Sequence, residues 1–196
     1  MEPIELNAYW SREFPDCPPV GFLLRRVYQD RWVRIRNFSE DGRTPETQTD
    51  YGEMCSRLNE ALSYLCGDNT GIVLITTSYS PDEKPVRDQK VLREFDPTAK
   101  FLHSVGVHEL ALEFDAPTYW HLFSSKWQFE PGRFDKVMRL VAQGAMFSGV
   151  FNVILLEPET NRLMCLYEGG ADVILEAPKA RDQFRERFAD WTVDGL

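Results

Sequence analysis

Apolar and polar positions alternate along residues 20–28 and again along 31–38, with Gln29-Asp30 between them. A period of two on either side of a short polar break predicts two strands joined by a tight turn. Residues 39–50, SEDGRTPETQTD, are turn formers and polar groups and read as a loop. The period then lengthens. Met54, Leu58, Leu62 and Leu65 recur at helical spacing, Asp50 and Glu53 stand as a capping box, and Gly67 supplies a stop. GIVLITTSY at 71–79 is a β-branched run, the pattern of a buried strand.

Residues 80–106 show no clear period, are charged and proline-punctuated, and read as a long loop in which KVLREF makes one helical turn. HELALEF (108–114) and TYWHLFSSKWQF (118–129) predict two further strands, the second with Tyr119, Phe123, Trp127 and Phe129 on one side of the pleat. A helix follows, with Pro131 in its first position, Phe134, Val137, Met138 and Val141 as its buried stripe, and Gly144 at its end. FNVILL, RLMCLY and ADVILE predict three strands, and a last helix starts near Pro178 with Phe184, Phe188 and Trp191 on one face. The fold class is therefore α+β, with mostly antiparallel sheet and about three helices. The order ββαβ, loop, ββαβ, ββ, α suggests a quasi-repeat of ββαβ units. The expected organisation is one compact domain over 1–196, with pseudo-halves 1–79 and 107–196 joined by the charged loop 80–106.

Composition sharpens this in two ways. With 22 Lys+Arg against 31 Asp+Glu, the net charge of -9 argues against nucleic acid as a partner, since that binding depends on neutralising phosphates. The N-terminal MEPIELNAYWSREFPDCPP lacks the basic and apolar regions of a signal peptide. FSGVFNVILL, the longest apolar run, is about half of the ~20 residues a membrane helix requires. A cytoplasmic protein with no membrane span is expected, and its four scattered cysteines are expected to be reduced and mostly buried.

Catalytic motifs are absent: no GxGxxG after a strand, no Walker loop, no GxSxG and no HExxH. The three histidines, His103, His108 and His121, are too irregularly placed for a metal site, and His121 reads as a hydrogen-bonded core residue. No metal or other cofactor is implied. The arginines carry more information. If Gln29-Asp30 is the turn, one face of the hairpin holds Phe22, Leu24, Val33 and Ile35, and the other holds Arg25, Arg34 and Arg36 with Trp32 among them. Like charges opposite one another are destabilising unless acids answer them, for instance from the charged 80–100 stretch. Left free, the guanidiniums would grip a carboxylate or phosphate, with Trp32 as a stacking plate.

YEGGADVI (167–174) is the other well-defined feature. Gly169 and Gly170 suit a tight hairpin, and Asp172 either bonds the loop amides or faces a partner admitted by the bare glycine backbone.

Together, AYWSREFPDCPPVGFLLRR, DRWVRIRNF, DYGEMCSRLNEALSYL and YEGGADVI followed by FADW resemble a family of uncharacterised bacterial proteins, a domain of unknown function. Its members show a Trp-Val-Arg strand, a Tyr-x-Gly-Gly-Ala-Asp-Val-Ile hairpin and a Trp near the C-terminus. The resemblance marks Arg31, Trp32, Val33, Arg34, Tyr167, Gly169, Gly170, Asp172 and Trp191 as pattern positions, and implies a histidine in many members where Arg36 stands here. It implies a bacterial cytoplasmic protein and no assigned reaction.

The first expectation is a non-catalytic binding protein with a protein partner. An acidic immunity protein that neutralises a basic toxin is one concrete form, because steering speeds such associations. The alternative is an enzyme or sensor that binds an anionic small molecule through Arg25, Arg34 and Arg36. A subunit pairing through an exposed hairpin edge is a third. The candidate binding residues are Arg25, Trp32, Arg34, Arg36, Gly169, Gly170 and Asp172.

Overall fold

A computed structural model describes residues 1–38, 43–67, 71–87, 89–106 and 118–193. Seven α-helices and eight strands lie among them, so the α+β class holds while the expected count of about three helices is too low. The elements are α1 (Pro3–Glu13), α2 (Gly21–Val27), β1 (Trp32–Arg36), α3 (Gln48–Cys66), β2 (Gly71–Ser80), α4 (Lys90–Phe95), β3 (Lys100–Gly106) and β4 (Tyr119–Gln128). They continue with α5 (Asp135–Ala142), α6 (Ala145–Ser148), β5 (Val153–Glu157), β6 (Arg162–Tyr167), β7 (Gly170–Ile174), α7 (Pro178–Arg187) and β8 (Thr192–Val193).

All eight strands form one sheet in the order β3-β4-β2-β5-β6-β7-β1-β8, and every pairing is antiparallel. Both faces are covered, which is why its central strands read as unbroken apolar runs rather than alternating ones. Val33, Ile35, Ile72, Leu74, Val153, Leu155, Met164 and Val173 point to one side, into a core with Leu58 and Leu62 of α3, Val137 and Val141 of α5, and Phe184 of α7. Trp32, Val73, Ile75, Ile154, Leu156, Cys165 and Ile174 point to the other, against Leu6, Tyr9 and Trp10 of α1 and Leu24 of α2.

The expected hairpin over 20–38 is not a hairpin. Its first half is α2, a 3-10 turn over Gln29–Arg31 follows, and only Trp32–Arg36 is a strand. Helical spacing decides it: Val20, Leu24 and Tyr28 lie four apart, and all three are buried on the α1 side of the sheet. The suggested quasi-repeat loses its first ββ pair in consequence. α1 is a second helix beyond the expected set, with Pro3 in its first turn, the Glu2 amide donating to the Glu5 carboxylate at 2.7 Å, and Leu6, Tyr9 and Trp10 buried on one stripe.

Smaller differences share the same logic. The box that starts α3 is Thr47 with Asp50 rather than Asp50 with Glu53: the Asp50 amide donates to the Thr47 hydroxyl at 3.2 Å and the Thr47 amide to the Asp50 carboxylate at 2.8 Å. Pro131 lies in a turn, and α5 starts at Asp135. Within the expected loop 80–106, KVLREF is α4 and residues 100–106 are β3. The strand expected over 108–114 lies outside the described residues. Four cysteines are free and buried, as the scattered spacing implied.

Candidate functional site

Asp172 is the hub. It lies directly opposite Arg34 in the β7–β1 register, and its side chain is turned toward the α2 side of the sheet. Being two residues apart on one strand, Trp32 and Arg34 share a face and both reach it. The Trp32 indole donates to Oδ1 at 3.0 Å, while Arg34 donates through Nε to Oδ1 at 2.9 Å and through Nη2 to Oδ2 at 3.1 Å. The residue is 5% exposed, so a fork of charge-assisted bonds is what allows its carboxylate to stay there. Arg34 lies over the Tyr167 ring at 4.8 Å and the Trp32 ring at 5.5 Å. Burial pulls the Arg34 guanidinium down, but the hydrogen bonds and charge of Asp172 outweigh it, and its pKa is raised.

Arg25 arrives from α2 rather than from a strand. Its Nη1 stands 3.8 Å from Asp172 Oδ2, beyond hydrogen-bond length, and its Nε is buried with no acceptor among the described residues. Arg36 shares the β1 face with Trp32 and Arg34, stands opposite Gly170, and bears on the electrostatics of Tyr167 along with Arg34 and Arg25. The acid that answers Arg34 is thus Asp172, 138 residues away in sequence, rather than one from the 80–100 stretch. Arg87 of that stretch is turned to the carbonyls of Leu92 and Asp96.

The glycines have a structural explanation. A Cβ on Gly170 would lie 2.0 Å from the Ile35 carbonyl oxygen, so the bare backbone admits β1 itself. A Cβ on Gly169 would lie 3.0 Å from the Tyr167 ring.

A cleft of about 230 Å³ opens between α2 and the sheet beside this cluster. Arg25 and Asp172 form its polar end, and Phe22, Trp120, Phe151 and Tyr167 its aromatic walls. The walls already meet edge to face: Trp120 and Phe151 have centroids 4.9 Å apart and Phe22 and Trp120 6.3 Å. Asn152 holds the two sides in register. With φ at 46°, it accepts from the Gly21 amide at 2.8 Å and donates to the Pro19 carbonyl and the Thr77 hydroxyl. Gly21 lets α2 come this close, since a Cβ there would stand 3.1 Å from that of Cys165. Trp120, Phe151 and Asn152 carry no local signature. They become neighbours of Arg25 only through strand pairing, so sequence reading passes over them.

Two neutral groups of the cleft hold their protons tightly. Burial pushes the Tyr167 phenol up to about 12, with Arg34 opposing and Asp172 adding, and burial drives the Cys165 thiol well above its ordinary value. His121 is buried elsewhere, on the opposite pleat from Trp120, within hydrogen-bond distance of Ser80 and Ser104. Among the described residues, no group of three or more His, Cys, Asp or Glu side chains could hold a metal, and no helix is long and apolar enough to cross a membrane.

Residues 20–195 match the family model described as Domain of unknown function (DUF3885). The chain belongs to that family. No curated protein and no solved structure matches it. The DUF3885 match takes in α2, all eight strands and every residue of the cleft, and starts after α1.

Proposed function

We propose that this DUF3885 chain is a non-catalytic binding protein whose recognition site is the α2–sheet cleft, with Arg25 as the cation that receives an anionic group. One observation carries the reading: a guanidinium whose buried Nε has no acceptor among the described residues lines the cleft, beside a carboxylate already bonded to Arg34 and Trp32. A buried donor left open costs about 1–3 kcal/mol, which an incoming acceptor recovers. Two guanidiniums against one carboxylate leave one positive charge at the polar end. The reading is non-catalytic because neither a phenol held up near 12 nor a thiol driven well above its ordinary value gives up its proton near neutral pH.

Thermal denaturation with a panel of anions tests this: acetate, phenylacetate, inorganic phosphate and glucose 6-phosphate, each with the natural chain and with Arg25→Met. At least one anion should raise the melting temperature of the natural chain and leave that of Arg25→Met unchanged. Equal responses in both proteins across the panel would refute it.

A protein partner is a second reading, and Met146 and Phe147 favour it. These neighbours in α6 are 92% and 86% exposed, in a chain of net charge -9 suited to a basic partner. The immunity form is tested with any toxin domain found encoded beside the gene. Nanomolar binding lost in a Met146→Ser, Phe147→Ser double variant supports it, and no binding at any salt ends it.

A further inference from the structure

The cleft is narrower in its demands than an anion site alone, and we infer that its ligand class is a small monocarboxylate carrying one aromatic ring. The inference rests on the binding reading above and adds the ligand's identity. Three observations converge on it.

Donors dominate the polar end. Asp172 Oδ1 accepts from Trp32 and Arg34, and Oδ2 from Arg34, so three of the about four acceptor sites of its carboxylate are occupied. Arg25, whose buried Nε has no acceptor among the described residues, and Tyr167 both line this end of the cleft. A ligand there must present acceptor oxygens. Its charge is also bounded: Arg25 and Arg34 less Asp172 leave a single positive charge, which matches a carboxylate and leaves a phosphate dianion half answered.

The volume sets the size. An apolar cavity of about 150 Å³ accepts benzene, while sites for drug-sized ligands begin at about 300 Å³. At about 230 Å³ this cleft has room for one ring with a short acidic arm.

The walls set the shape. Phe22, Trp120 and Phe151 form a row of edge-to-face rings that continues outward to Tyr79. A flat ring entering beside that row finds aromatic faces and edges, whereas a saturated ring of equal size finds only area.

Calorimetric titration of the full chain with phenylacetate, cyclohexylacetate, acetate and inorganic phosphate decides the matter. Phenylacetate should bind saturably and several-fold tighter than cyclohexylacetate, with acetate and phosphate far weaker. Arg25→Met should weaken it about tenfold or more. Arg25→Lys, which keeps the charge but has no Nε, should weaken it too. Cyclohexylacetate or acetate binding as well as phenylacetate would overturn the inference. Phosphate binding tighter and through Arg25 would overturn the ligand class and leave the anion site standing. Binding of none of the four in an Arg25-dependent way would remove both.

Discussion

Arg34 and Asp172 face each other across the β1–β7 pair and close a two-pronged ion pair at 2.9 and 3.1 Å. The pair ties the Trp-Val-Arg strand to the Gly-Gly-Ala-Asp hairpin, joining two motifs that stand far apart in sequence. It also consumes the acid that would otherwise answer Arg25, and so creates the open donor of the cleft.

Asp172→Asn should therefore cost more than the loss of one contact. The buried carboxylate goes, and the guanidinium of Arg34, only 22% exposed, stays behind unanswered. Breaking one side of a buried pair costs about 3–5 kcal/mol, and the partial exposure of Arg34 places the expected loss near the lower end. Urea unfolding measures it. A loss under about 1 kcal/mol would show that the pair contributes little.

Gly170→Ala should be worse than Gly169→Ala. The first places a Cβ 2.0 Å from a backbone oxygen of the neighbouring strand, which can yield only by parting β1 from β7. The second meets the edge of the Tyr167 ring, which can swing aside. Expected costs are about 3 kcal/mol or more against about 1 kcal/mol, read as shifts in the unfolding midpoint at constant m. Equal shifts would contradict the packing described.

Acid should weaken the fold in two windows. His103 is held below its ordinary 6.5 by burial, so the unfolded chain binds the proton first as the pH falls. Its contribution is present above about 6.5 and is lost on acidification below that value. Asp50 is lowered from 3.8 to about 2, mainly by bonds to the amide and hydroxyl of Thr47. Its contribution persists to lower pH and is lost between about 4 and 2. His103→Gln should flatten the upper window and Asp50→Asn the lower one in stability–pH profiles. Profiles unchanged by either substitution would be the contrary result.

Legibility in the sequence followed the range of the interaction. β2, β5, β6 and β7 were readable because each carries its own apolar run, and β4 because its aromatic residues recur on one side of the pleat. α2 was misread because Phe22 and Leu24 fall on one parity and Arg25 on the other, which mimics alternation, while the deciding Val20, Leu24, Tyr28 series spans nine residues, a seven-residue helix and its two flanks. β3 was missed because its pairing shifts between Phe101 and His103, which breaks the period of two. Both halves of the candidate site were visible as motifs. Their meeting was not, since it depends on register between strands at opposite ends of the chain.

Arg25→Met should not destabilise the chain. The substitution removes a buried donor without an acceptor and an ion pair stretched to 3.8 Å, and keeps the aliphatic stem that covers the cleft. Melting temperature should stay level or rise slightly. A drop of several degrees would mean that Arg25 serves the fold rather than a ligand.

The most direct measurement reads the Arg25 Nε–H itself. In ¹H–¹⁵N spectra, with its cross-peak assigned by its loss in Arg25→Lys, phenylacetate and inorganic phosphate are titrated in turn. The Arg25 cross-peak should shift downfield with a saturable dependence on one of them while that of Arg34, already bonded to Asp172, stays in place. An Arg25 cross-peak unmoved by both anions would show that the cleft does not hold an anion at this guanidinium.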